Sequence, residues 1–187
     1  MHQVLFTSFE SESEKRNRYA RKTFKLKNGT KVVIRLFKKE DSRLIEELYH
    51  SLSSETKRHR FFGIRKYISE DINMLKKQVE QGLAFIVVAV INKNRKPEMI
   101  GDARLYLNQE KNEAEFAIVV TDSWQGLGLG KKMSGSTLEL AKKIGINKVY
   151  AYTFVDNKWM LRIFEGLGFL KLRRDDHFFL EKTLLSK

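Results

Sequence analysis

The chain has 187 residues, a formal net charge of +13 from 36 Lys and Arg against 23 Asp and Glu, and no cysteine. That length, with 42% hydrophobic residues, supports one sizeable core and one main domain. Without cysteine there are no thiol nucleophiles, disulfides, Cys-based zinc sites or iron–sulfur clusters, and the scattered His2, His50, His59 and His177 make no metal-ligand set, so no metal is expected.

Residues 1–22 are polar and charged apart from Val4-Leu5-Phe6, and read as a basic N-terminal extension ahead of a domain over 23–187. They lack the order of a secretory signal, and no apolar run in the chain is long enough to span a bilayer; a soluble cytoplasmic protein without a membrane partner is expected. Between Glu14 and Glu40 lie eleven basic residues, Lys15 through Lys39, and no acidic one. Such a run favours anions: nucleic acid, phosphorylated cofactors or acidic protein surfaces. A solvated arm accounts for it equally well, and nucleic acid is weakly supported because only Tyr19, Phe24 and Phe37 interleave the charges.

From Thr23 to Phe37, apolar and basic residues alternate around Asn28-Gly29, which predicts an antiparallel hairpin. Leu44, Ile45, Leu48, Tyr49 and Leu52 then form an amphipathic helical stripe. The stretch 53–63 reads as a loop, and a second helix is expected over 69–82, opening at Ser69 and closing at Gly82. The runs 84–92, 99–108 and 113–121 read as strands, with Pro97 in a polar turn between the first two. A glycine-led helix over 128–145, a strand over 148–155, a short helix over 157–169 and a last strand from His177 complete the order ββααβββαβαβ. That order predicts an α/β or α+β domain with a mixed sheet flanked by helices.

The most informative stretch runs from Glu115 to Met133: a strand, an acidic turn, three alternating glycines and a helix. Helix N-termini leave N–H groups unpaired and glycines let a phosphate approach them, so the turn is a natural diphosphate cradle. The Walker A and dinucleotide glycine spacings both fail here, since Gly126, Gly128 and Gly130 are spaced by two. A glycine turn that only allows tight strand-to-helix packing is the plainer reading.

Gln125-x-x-Gly128-x-Gly130 resembles the acetyl-CoA-binding motif of the GNAT N-acetyltransferase superfamily. Asn157, Phe164, Gly168 and Phe169 are similar to that family's later motif, and the resemblance covers roughly residues 31–185. Within the family, the stretches 27–41, 51–63 and 114–130 are similar to the Pat-type protein lysine acetyltransferases. The resemblance implies a mainly antiparallel, twisted GNAT sheet and an acetyl-CoA-dependent transferase that acylates protein lysines by direct amine attack on the thioester. Small-amine or N-terminal acetylation, or a non-catalytic acyl-CoA-binding module, are the alternatives.

By the same resemblance, backbone groups of Ile118, Val119 and Val120 hold the pantetheine arm and Gln125, Gly126, Leu127, Gly128, Leu129, Gly130 and Lys131 wrap the diphosphate, with Lys132 a further candidate charge. Asn157 would hydrogen-bond the arm or cap its own helix. Phe164 stands where many relatives carry a tyrosine acid and is expected to pack against the arm. A lysine ammonium titrates near 10.4 and an ordinary glutamate near 4.3, so proton transfer between them is uphill by roughly 8 kcal/mol; a competent base must be partly desolvated or act through water. Glu115, ten residues before Gln125, is the base the resemblance points to; Glu55 is the second candidate, or else orients substrate or pairs with Arg60. The run from Lys15 to Lys39 is then expected to dock an acidic protein substrate.

Overall fold

A computed structural model of the protein describes residues 21–61 and 68–184. The expected extension therefore lies outside the described residues except for Arg21 and Lys22, as do Phe62 and Gly63 of the 51–63 stretch. Strands β1 (Lys22–Lys25) and β2 (Lys31–Leu36) form the expected hairpin, which turns where Gly29 takes φ +83° and Asn28 Oδ1 accepts from Thr30 N–H. Helices α1 (Ser42–Ser51), α2 (Ser54–Phe61) and α3 (Ile68–Glu80) follow. Then come β3 (Ala84–Lys93), β4 (Lys96–Asn108), β5 (Glu113–Val120), α4 (Leu129–Lys143), β6 (Lys148–Phe154), α5 (Lys158–Gly166), β7 (Leu170–Arg174) and β8 (His177–Thr183).

The eight strands form one sheet in the order β1-β2-β3-β4-β5-β6-β8-β7, antiparallel throughout except for β5 and β6. That parallel pair requires a crossover, which α4 supplies. The sheet is the expected mixed, mainly antiparallel one.

One face carries the larger core, in which Leu129, Met133 and Leu140 of α4 and Phe164 of α5 meet Val87, Ala103, Phe116 and Leu180. On the other face, Ile45, Leu48 and Tyr49 of α1 and Ile72 and Leu75 of α3 pack on Ile86, Val88, Val90, Met99 and Val119. The alternation along β5 sends Ala114, Phe116 and Val120 to the first core and Val119 to the second.

Three expectations change. The segment read as a loop folds as α2: Ser53 Oγ caps it, accepting from Thr56 N–H at 3.2 Å, and the distant Asp122 carboxylate holds that cap, accepting from Ser53 N–H, Ser53 Oγ–H and Thr56 Oγ–H. Pro97 lies in β4 opposite Asn92; the turn is Asn94-Arg95, both with positive φ, and the missing proline N–H costs little near the end of a ladder. Finally, β7 was not read from the sequence, since Leu-Lys-Leu-Arg-Arg is short and exposed along its whole length.

Candidate active site

The parallel pairing of β5 and β6 covers only Glu113 to Glu115 against Lys148 to Tyr150. Beyond it, β6 continues alongside β8 while β5 stays with β4, so the two strands part and leave a wedge. A cavity of about 850 Å³ fills that wedge, walled by β5 from Glu115 to Val120, the glycine turn, α2 and α5.

Backbone directions along β5 follow from its fixed contacts. Thr121 N–H donates to Ile100 C=O at 3.0 Å, so the peptides of Thr121 and, by alternation, Val119 face β4. Ile118 and Val120 therefore turn theirs to the wedge, where Val120 C=O accepts from Gln125 Nε2 at 3.0 Å. Of the three residues expected to offer backbone, Ile118 presents both groups, Val120 keeps its N–H, and Val119 is engaged with β4.

At the glycine turn, Gly126 (φ +72°) and Gly128 (φ +87°) sit in the left-handed region, and a Cβ on either would point into open space. Glycine is thus required for backbone conformation, and Gly128 leads into α4 with no side-chain cap. Lys132 N–H is the helical donor that reaches Gly128 C=O, at 3.3 Å, so the N–H groups of Leu129, Gly130 and Lys131 precede the first intrahelical bond. Those donors, Lys27 and Lys131 on the cavity wall, and the wedge fit a diphosphate joined to an extended amide arm.

Gln125 points back to Val120 C=O and to Thr56 Oγ at 3.3 Å, tying α2 to β5. Leu129 is buried in the core and Leu127 packs against it, so either can meet a ligand only through backbone. Lys132 lies over the Phe24 ring at 4.6 Å and is not on the wedge.

At the opposite end, Glu115 and Glu55 both line the cavity. Burial pushes the Glu115 carboxyl above its ordinary value, with Arg60 pulling against it. Arg60 connects this carboxylate to a buried polar cluster: its Nη2 lies 3.9 Å from Asp102 Oδ1, while Asp102 takes two hydrogen bonds from Arg104, at 3.2 and 2.9 Å, and one from Tyr49 Oη–H. Burial pushes Asp102 up to about 6, again opposed by Arg60. The cluster escaped sequence reasoning; the signal was Asp102 and Arg104 on one face of an otherwise apolar strand run.

On the far wall, Asn157 caps α5, its Oδ1 accepting from Met160 N–H at 3.2 Å, and it lines the cavity as well. Phe164 is buried edge-on against Phe116 and Phe169 while touching the cavity. Across the mouth, Arg58 and His59 of α2 pair with Asp156 of the β6–α5 loop, the His59 Nε2–Asp156 Oδ1 contact being 3.0 Å. Among the described residues, no group of three or more His, Asp or Glu could hold a metal ion, and no helix is long and apolar enough to cross a membrane.

Residues 31–170 match the family model described as an acetyltransferase (GNAT) domain. The chain belongs to the GNAT acetyltransferase family. It is therefore an acetyl-CoA-dependent acyltransferase.

Among curated relatives, Acetyltransferase PA5475 of Pseudomonas aeruginosa is 27% identical over 153 residues, covering 81% of each chain. Acetyltransferase Pat of Mycolicibacterium smegmatis is 31% identical over 125 residues, 66% of this chain but 36% of that longer protein. The GNAT domain of S. lividans PAT superposes with a TM-score of 0.78 at 22% identity over 89% of this chain and 98% of that one. A spermidine N-acetyltransferase of Vibrio cholerae, solved with CoA and spermine, does so with a TM-score of 0.67 at 19% identity over 81% and 95%. At such identities the two structures speak for the shared GNAT fold alone.

Proposed function

We propose that this GNAT protein transfers the acetyl group of acetyl-CoA to lysine side chains of protein substrates, with Glu115 as the general base. The observation that carries the reading is Glu115 itself: a half-buried carboxylate on the same strand as, and three residues before, the outward-facing peptide of Ile118. The similarity to Pat proteins favours protein lysine over a small amine.

Acetyl-CoA supplies a thioester carbonyl open to attack. The peptides of Ile118 and Val120 hold its amide arm, with the Ile118 N–H stabilising charge that develops on the carbonyl oxygen. The N–H groups of Gly126 to Lys131 and the Lys131 ammonium hold its diphosphate. Glu115 takes the proton of the incoming ammonium, directly or through water, and its desolvation narrows the uphill step. Phe164 has no proton to give; the thiolate leaves unassisted while Phe164 walls the cavity. Glu55, at the same end, draws the cationic acceptor.

Glu115→Gln should lower kcat for a protein lysine by about 10²- to 10⁴-fold and leave acetyl-CoA affinity within about twofold. Because the base works as a carboxylate and its pKa is raised, transfer in the wild type climbs with pH through a limb above the ordinary value of 4.5, and the substitution removes that limb. Wild-type turnover in Glu115→Gln would take the residue out of the role. Faster transfer to spermidine than to any protein lysine, scored by thiol release, would move the reading to small amines.

A further inference from the structure

One charged group near Glu115 has no hydrogen-bond partner. Arg60, at the C-terminal end of α2, keeps only 8% of its side chain exposed, yet its Nε and Nη2 are buried without an acceptor. Its nearest carboxylate oxygen is Asp102 Oδ1 at 3.9 Å, beyond hydrogen-bond reach, and Asp102 already accepts from Arg104 twice and from Tyr49. Buried donors left unpaired are costly, and each calls for a physical reason.

Register shows where this guanidinium stands. Asp102, Arg104 and Tyr106 alternate on one face of β4, opposite Val119, Ala117 and Glu115 of β5. Asp102 and Glu115 therefore share a face, at the two ends of a row whose middle position on β5 is the small Ala117. Arg60 reaches this face from α2 and lines the cavity with Ala117 and Glu115. Both carboxylates feel its charge, and among the described residues nothing donates a hydrogen bond to Glu115.

We infer that Arg60 is the positioning residue of the proposed base: held back by Asp102, it supplies the counter-charge of Glu115 while leaving the carboxylate oxygens open to the incoming ammonium. This arrangement meets two opposed demands. Desolvation makes Glu115 a stronger base but favours its neutral form, which can take no proton. A direct Arg–carboxylate fork would restore the charge but weaken the base and cover its oxygens. A guanidinium at one remove restores part of the charge and covers nothing.

The other groups around Glu115 do not replace it. From α2, Glu55 is acidic and His59 is tied to Asp156. From β4, Tyr106 lies opposite Glu115, and the Arg104 guanidinium is committed to Asp102 and to Tyr106 Oη at 2.9 Å. Tyr150 of β6 flanks Glu115 in register and Tyr152 lines the cavity, but neither brings a cation; Lys148 is taken by Glu113 at 2.8 Å.

The role of Arg60 rests on Glu115 as base and not on the identity of the acceptor, so a lysine peptide or spermidine serves, whichever the wild type turns over. kcat is followed against pH at saturating substrates. Transfer needs the carboxylate and Arg60 pulls its pKa down, so removing Arg60 moves the rising limb to higher pH. Arg60→Gln and Arg60→Met, the second keeping the length of the side chain, should each move it by about one pH unit. One unit below the wild-type midpoint that is a loss of roughly 10-fold in kcat, with KM for acetyl-CoA within about twofold. Arg60→Lys, which returns the charge, should recover most of the loss. In a Glu115→Gln background the Arg60 substitutions should change kcat by less than about twofold, because the group they act through is gone. Asp102, pushed up to about 6, is the other carboxylate able to produce a limb, so Asp102→Asn serves as the control and should keep it. Limb position is read within each enzyme, so partial loss of folded protein does not move it. An unmoved limb, equal losses with and without Glu115, or a limb that vanishes in Asp102→Asn overturns the role of Arg60, while Glu115→Gln still reports on the base by itself. Wild-type turnover in Glu115→Gln overturns both.

Discussion

The two ends of the cleft hold their shape by different means. From Phe116 to Gly130 the wall is backbone: outward peptides of β5, two glycines with positive φ and the unpaired start of α4, all within fifteen consecutive residues. Around Glu115 the wall is side chains brought together over long separations, as in Tyr49 on Asp102, 53 residues apart, and Ser53 on Asp122, 69 apart. Under the proposed function the first wall meets a diphosphate and an amide arm, which are chemically constant so that backbone suffices, and the second meets the acceptor. Acceptors differ, and side chains can change without disturbing the strand or the helix start.

The sharpest way to break that contrast is at Asp102. If the acceptor end depends on its buried charges, Asp102→Ala leaves Arg104 and Arg60 facing each other without their carboxylate, and Tyr49 without its acceptor. Loss of about 3–5 kcal/mol in chemical denaturation is expected. A loss below about 1 kcal/mol would mean that the cluster is incidental to the wall.

At the backbone end the corresponding change is Gly128→Ala. The Cβ meets nothing within 4 Å, so any cost comes from holding an L-residue at φ +87°. About 1–2 kcal/mol of stability should be lost, with weaker acetyl-CoA binding by calorimetry as the turn shifts toward negative φ. Unchanged stability and affinity would show that the turn does not need its left-handed residue.

Asp122 joins the two ends. It caps α2 through Ser53 and Thr56, while Gln125, three residues on, grips both Val120 and Thr56. Burial pushes its carboxyl up, but these hydrogen bonds outweigh that and hold it below the ordinary 3.8. A folded-state pKa below the unfolded one means stabilisation that is complete above 3.8 and lost as pH falls through the lowered value. Asp122→Ala should therefore cost about 1–2 kcal/mol at neutral pH, and the gap to wild type should close on acidification below the carboxylate range. A gap that is constant with pH would remove the cap from the account.

The same division decided what could be read from the sequence. Most elements whose cause is local were legible: the Asn28-Gly29 hairpin, the α1 stripe, the three central strands, and the glycine turn whose spacing pointed to GNAT; the short, exposed β7 and the exact place of the Asn94-Arg95 turn were not. Elements with remote causes were not. Ser54–Phe61 is strongly polar with little helical amphipathicity, and the Ser53 side chain that caps its first turn is itself held by Asp122, 69 residues away. Asp102 and Arg104 hid inside an apolar run because each neutralises the other across one strand face. The peptide direction that separates Ile118 from Val119 depends on the register with β4, which no residue within β5 encodes.

The weakest link between the two ends is the strap across the mouth, Arg58 and His59 with Asp156. Arg58 also covers the Phe154 ring at 4.7 Å, so it keeps an apolar contact if the carboxylate is lost. Asp156 is more than half exposed, and an exposed pair contributes little once solvent screening is counted. Asp156→Ala should cost less than about 1 kcal/mol in thermal unfolding, shrinking further in 1 M salt, where the Debye length is about 3 Å. Such a result leaves α2 fixed to the sheet by Asp122 and Gln125 and leaves the mouth free to open for an acceptor. A cost that stays large in high salt would instead make α2 and the β6–α5 loop a single rigid wall, with the acceptor confined to the approach along β6 and β8.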